Sequence, residues 1–70
     1  MEKVTFEFQP YEDDSWDCMI SIYRGNELVV QYFFQAHIID GDVQFKLDPE
    51  YAHNPPQRYL SFITSTLLNR

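Results

Sequence analysis

Two short breaks, Gly25-Asn26 and Asp40-Gly41, constrain this chain more than anything else in it, because each splits a run of strand-forming residues. A two-residue break of this composition indicates a β-hairpin. The primed turns that suit the twist of paired strands need positive φ, which Gly, Asn and Asp tolerate. Glu27 to Gln35, rich in Val, Tyr and Phe, follows the first break, and Ala36 to Ile39 precedes the second. Asp42 to Leu47 follows the second. Three consecutive extended segments joined in this way form an antiparallel meander.

The flanking segments extend the pattern. Lys3 to Gln9 alternates, with Val4, Phe6 and Phe8 on one side and Thr5, Glu7 and Gln9 on the other, as a half-buried strand does. Pro10 is expected to end it, and Tyr11 to Ser15 then reads as an acidic loop. Trp16 to Arg24 is the next strand, with Trp16, Cys18, Ile20 and Ile22 on one face and Asp17, Met19, Ser21 and Tyr23 on the other. Asn54-Pro55-Pro56 resembles a helix start, with Asn54 as N-cap and Pro55 at the first helical position. Tyr59, Phe62, Ile63, Thr66 and Leu67 recur at helical spacing, with Leu60 at the edge of the stripe. Arg70 at the end suits the helix dipole. The expected fold is a single α+β domain over residues 1–70, an antiparallel β-meander of three to four strands with one C-terminal α-helix packed on one face.

The turns also propose a register. A regular two-residue turn at Gly25-Asn26 sets Arg24 opposite Glu27, Tyr23 opposite Leu28, Ile22 opposite Val29 and Cys18 opposite Phe33. The Asp40-Gly41 turn sets Ile38 opposite Val43, Ala36 opposite Phe45 and Phe34 opposite Leu47. Glu27 to Asp40 is long for one strand, so a bulge is expected near Gln35. In this register one face collects Leu28, Val30, Tyr32, Phe34, Ala36, Ile38, Val43, Phe45 and Leu47, and the helix covers it. The opposite face then gathers Trp16, Cys18, Ile20, Ile22, Val29 and Phe33 with no cover. Contiguous apolar patches of that kind mark interaction sites. The sequence therefore proposes Trp16, Ile20, Ile22 and Phe33 as a contact surface, rimmed by Glu12, Asp13, Asp14 and Asp17.

Length and charge narrow the function classes. Seventy residues bury only about 60% of the unfolded chain's surface, but the hydrophobic fraction is 44% and the aromatic fraction 17%, enough for a core. The single cysteine, Cys18, cannot form an internal disulfide, and no run has signal-peptide or membrane-span length, so a reducing cytoplasmic setting is expected. The net charge is -6, with all eleven acids at or before Glu50. Direct nucleic-acid binding and anionic membranes are disfavoured, because both need clustered Lys and Arg.

Candidate chemistry is sparse. Gly25 and Gly41 are the only glycines, so no phosphate-binding loop exists. Asp13, Asp14 and Asp17, and Asp40-Gly41-Asp42, do not match a calcium loop. Cys18, His37 and His53 lack the paired spacing of a zinc site. In the proposed register Cys18 and His37 stand about 13 Å apart along the sheet, beyond the reach of a catalytic dyad. Cys18 reads as a small buried hydrophobe and His37 as a surface strand residue. Pro55-Pro56 flanked by Tyr51, His53 and Tyr59 can be read as an aromatic–proline surface, but better as a helix start.

No cofactor or metal is expected, and no enzymatic activity. The function expected from sequence is a small acidic protein-interaction module, pairing with a second copy as a homodimer or with a larger protein through the open sheet face. The alternative is an acidic inhibitor whose carboxylates mimic nucleic acid and block a basic nucleic-acid-binding protein. A weaker alternative is a small-molecule binder on the same face.

Overall fold

In the computed structural model, residues 1–47 and 54–70 are described. The alternating segments form four strands, β1 (Glu2–Glu12), β2 (Ser15–Arg24), β3 (Glu27–Ile39) and β4 (Asp42–Leu47), followed by one helix, α1 (Gln57–Leu68). The strands make one antiparallel sheet in the order β1-β2-β3-β4. The ββββα meander read from the sequence is the fold observed.

The second hairpin follows its turn signal throughout. Asp40 and Gly41 both take positive φ, 54° and 80°, as a type I′ turn requires. Ile38 faces Val43, Ala36 faces Phe45 and Phe34 faces Leu47. The first hairpin departs from its signal. Gly25 has φ 64° while Asn26 does not enter the positive-φ region, the arrangement of a turn with Gly at its first central position. Arg24 faces Glu27 and Tyr23 faces Leu28, but Ile22 then faces Val30, with the register shift between Ile22 and Tyr23. The bulge expected near Gln35 therefore lies at Val29 instead. It places Cys18 opposite Phe34 rather than Phe33, and Ile20 opposite Tyr32.

That shift of one residue moves the β2 side chains to the other face. Trp16, Cys18, Ile20 and Ile22 lie on the helix side with Phe34, Ala36 and Val43, and all seven are buried together with Leu60, Ile63 and Leu67 of α1. Ile20 and Ile63 are fully inaccessible.

β1 runs to Glu12, past Pro10, so the expected loop from Tyr11 to Ser15 is reduced to a turn at Asp13-Asp14. β1 is an edge strand, where a proline whose missing N–H faces outward is tolerated. Asp14 takes φ 56° there, a left-handed conformation that Asp adopts more readily than most residues.

The helix begins at Gln57, with Pro56 as its cap at φ -56° and ψ 143°. The expected start at Asn54-Pro55 fails because Pro56 follows Pro55. A residue before proline is driven out of the helical region, so the helix starts only after the second proline. No side-chain cap closes its N-terminus, and no acid stands in its first turn. Its stability thus comes from packing rather than from end effects. Leu60, Ile63 and Leu67 form the buried stripe, each contributing about 1.5–3 kcal/mol on full burial. Phe62, expected within that stripe, is exposed and lies instead beside Phe6 of β1, ring centres 4.7 Å apart. Thr66 is exposed too and bonds back to the Phe62 carbonyl at 2.9 Å.

Candidate functional site

The helix covers one face of the sheet and leaves the other open. The observed registers fix which side chains stand there. Across β1, β2 and β3 they form rows: Thr5, Ser21 and Gln31; then Glu7, Met19 and Phe33; then Gln9, Asp17 and Gln35, continued by Lys46 of β4.

The outer rows are polar and internally bonded. The Gln31 side-chain amide donates to Ser21 Oγ at 3.1 Å and to Met19 Sδ at 3.7 Å. The Gln35 amide donates to Asp17 Oδ1 at 3.3 Å. Between them stands the apolar pair Met19 and Phe33, the latter 43% exposed. Glu7, Gln9, Asp17, Met19 and Phe33 border an open depression of about 400 Å³. An apolar centre with a polar frame is how contact surfaces are commonly built, and Met adapts to irregular partners.

Of the contact residues expected from sequence, Phe33 and Asp17 lie on this face. Trp16, Ile20 and Ile22 do not, because the Val29 bulge turned them inward. The acidic rim is also dispersed. Asp13 and Asp14 form the β1–β2 turn, and Glu12 pairs with Ser15 beside it. Asp14 is taken up by the C-terminus of the chain: Arg70 Nη2 lies 2.7 Å from its Oδ1. The same guanidinium donates to the Leu67 carbonyl at 3.0 Å and sits 4.7 Å from the centre of the Trp16 ring. Arg70 thus closes the end of the helix onto the turn and over the core.

A second polar cluster escaped the sequence reading. His37 stands opposite Ser15 across β2 and β3, and Ser15 Oγ lies 2.9 Å from His37 Nδ1. The Tyr11 hydroxyl approaches the same nitrogen at 3.5 Å, its ring edge-on to the imidazole. With Nδ1 as acceptor, its one lone pair takes the Ser15 hydroxyl, the nearer of the two. Ser15 is 6% exposed and also reaches the Asp13 carbonyl at 3.5 Å. Its hydroxyl is held inside the hairpin end rather than presented to a substrate, and among the described residues His37 bonds these two hydroxyls and no carboxylate orients the imidazole. The cluster pins the β1–β2 turn to β3, where the Ile38 N–H also donates to the Asp14 carbonyl at 2.9 Å. No spacing in the sequence signals it, since Tyr11 reaches His37 only once β1 continues past Pro10.

Cys18 lies on the opposite face from His37, 4% exposed. Burial, reinforced by the negative charge of Asp17, pushes its thiol up to about 11, so at neutral pH it is no nucleophile. Among the described residues no group of three or more His, Cys, Asp or Glu is placed to hold a metal ion. Nor is any described helix long and apolar enough to cross a membrane. The proposed aromatic–proline surface rests partly on Tyr51 and His53, which lie outside the described residues.

Comparison with protein-family models, with curated proteins and with solved structures finds no match for the chain.

Proposed function

We propose that this chain is a small, acidic, non-enzymatic interaction module that engages a protein through its helix-free sheet face. One observation carries the reading: Phe33 stands exposed, beside the half-buried Met19, between the bonded pairs Gln31–Ser21 and Gln35–Asp17. Such a surface offers apolar contact within a polar frame. Among the described residues no carboxylate orients the Ser15–His37 pair, and the Ser15 hydroxyl is buried, which weighs against hydrolytic chemistry there. The net charge of -6 keeps the free module soluble and apart from nucleic acid. The setting that suits a lone buried thiol is a reducing cytoplasm.

Photo-crosslinking tests this. A benzophenone side chain replaces Phe33 in one variant and the exposed helix residue Phe62 in another. The expected result in the native host is a discrete protein adduct from position 33 and none from position 62. Absence of an adduct at 33, or equal labelling at both, overturns the assignment to this face.

A further inference from the structure

The depression in the helix-free face carries charge of one sign. Glu7 and Asp17 border it with Gln9, Met19 and Phe33, and among the described residues no lysine or arginine does. The register sets its shape. Glu7, Met19 and Phe33 stand in one row across β1, β2 and β3, and Asp17 stands two residues along β2 from Met19. Asp17 is therefore a diagonal neighbour of both Glu7 and Phe33, about 7–8 Å away, a span that one long side chain bridges.

Among the described residues the ion pair formed is Arg70–Asp14, so no cation neutralises Glu7 or Asp17. Lys46 shares the row of Asp17 only beyond Gln35. The Gln35 amide donates to Asp17 Oδ1 at 3.3 Å, which orients the carboxylate and leaves Oδ2 as an acceptor. Between the two acids the floor is apolar: half-buried Met19, walled by Phe33. An apolar floor with carboxylates at its margin suits a side chain with an aliphatic stem and a cationic head. Two carboxylates on different strands suit a guanidinium, whose fork of donors serves several acceptors, better than the point charge of an ammonium. The chain already seats one guanidinium in this manner: Arg70 lies 2.7 Å from Asp14 and 4.7 Å from the centre of the Trp16 ring.

We propose that the helix-free face binds its partner protein through an arginine of that protein, with the stem laid on Met19 beside Phe33 and the guanidinium shared between Glu7 and Asp17. This inference rests on reading the chain as an interaction module and names the chemistry of its partner. Charge selects a foreign, basic protein over a second copy. Two chains of net charge -6 repel each other. The chain's own three arginines are also placed elsewhere: Arg24 stands between Glu2 and Glu27, Arg58 stacks on Tyr59, and Arg70 is held by Asp14.

NMR titration of the full chain, labelled at its methionine methyls, tests the site. Met1 and Met19 are the two methionines, and Met1 is fully exposed and does not border the depression. The probe is the blocked tripeptide acetyl-Val-Arg-Val-amide, beside versions with lysine or neutral citrulline in place of arginine. The arginine peptide should shift the Met19 methyl saturably at about millimolar concentration and leave Met1 unmoved. The citrulline peptide should bind at least roughly fivefold more weakly, the lysine peptide should also bind more weakly, and high salt should weaken the arginine peptide. A chain with Glu7→Gln and Asp17→Asn, both at exposed positions, should keep its circular dichroism and lose the Met19 shift. Absence of a saturable shift, equal binding of the lysine or citrulline peptide, equal movement of Met1, or a shift that survives the double substitution overturns the inference. The benzophenone adduct at position 33 separates this failure from that of the module. In the doubly substituted chain the adduct should be lost. An undiminished adduct there rules out the arginine and keeps the interaction-module reading, whereas no adduct in either chain rules out both.

Discussion

The two hairpins of β3 carry turn signals of similar strength and treat them differently. At Asp40-Gly41 both turn residues have positive φ and every pair beyond follows in step. At Gly25-Asn26 only the glycine does, and after two pairs the strands slip by one residue. A turn fixes the pair that closes it. Beyond that pair the register belongs to whichever arrangement buries the apolar faces together. A regular register in the first hairpin would leave Trp16, Cys18, Ile20 and Ile22 in water, opposite the face the helix covers. One bulged residue at Val29 puts Trp16, Ile20 and Ile22, with the smaller Cys18, into the core, far outweighing an imperfect ladder.

Single-residue deletions should break this comparison most sharply. Deleting Gln44 from the unbulged hairpin turns Phe45 and Leu47 to the open face and Lys46 inward, and should abolish the cooperative unfolding transition. Deleting Val29 removes the bulge yet keeps Ile22 opposite Val30, and should cost only about 1 kcal/mol. Chemical denaturation of both variants checks this. Equal tolerance would mean that the bulge has no part in setting the faces.

Substitutions on the two faces come next. Ile20→Ala should destabilise by about 2–5 kcal/mol, because Ile20 is fully buried and leaves a cavity. Phe33→Ala, on the open side of the same sheet, should change stability by at most about 1 kcal/mol. A reversed order in urea titration would put Ile20 back on the surface.

The third test uses the thiol of Cys18. Its folded value of about 11 lies above the ordinary 9.0. Below pH 9 both folded and unfolded thiols are protonated, and the group has no effect on pH dependence. As pH rises from 9 toward 11 the unfolded chain loses its proton first, so stability falls, by up to about 2–3 kcal/mol in all. Thiol reagents at pH 8 should label Cys18 only at the rate of unfolding. Rapid labelling of the folded chain contradicts the inward face.

The smallest effect concerns the end of the helix. The Arg70–Asp14 pair is about half exposed, its side chains at 48% and 54%, and such pairs contribute about 0–1 kcal/mol. Arg70→Ala also removes the contact over Trp16, so a loss near the top of that range is expected in thermal denaturation. No measurable change would leave the helix end held by Leu67 alone.

These comparisons show how much was legible beforehand. Element order, the Asp40-Gly41 register and the apolar side of β3 and β4 all follow from alternation, turn chemistry and composition, which act over a few residues. The candidate contact surface was legible only in part. Phe33 and Asp17 keep their place on the open face, while Trp16, Ile20 and Ile22 leave it. Nothing local at Val29 marks a bulge, since the residue is as good a strand former as its neighbours. The Ser15–His37–Tyr11 cluster and the Arg70–Asp14 closure join residues far apart in the chain, and each depends on where a strand or the helix happens to end.

By itself the sequence determined a small acidic ββββα meander with apolar residues enough for one core. Only the tertiary structure decided which face of β2 enters that core. A strand's side chains alternate with a period of two, so each strand has a well-defined apolar side, but which side points inward depends on its phase relative to its neighbour. That phase is set by burial summed over the whole sheet and helix, and one bulged residue is enough to reverse it.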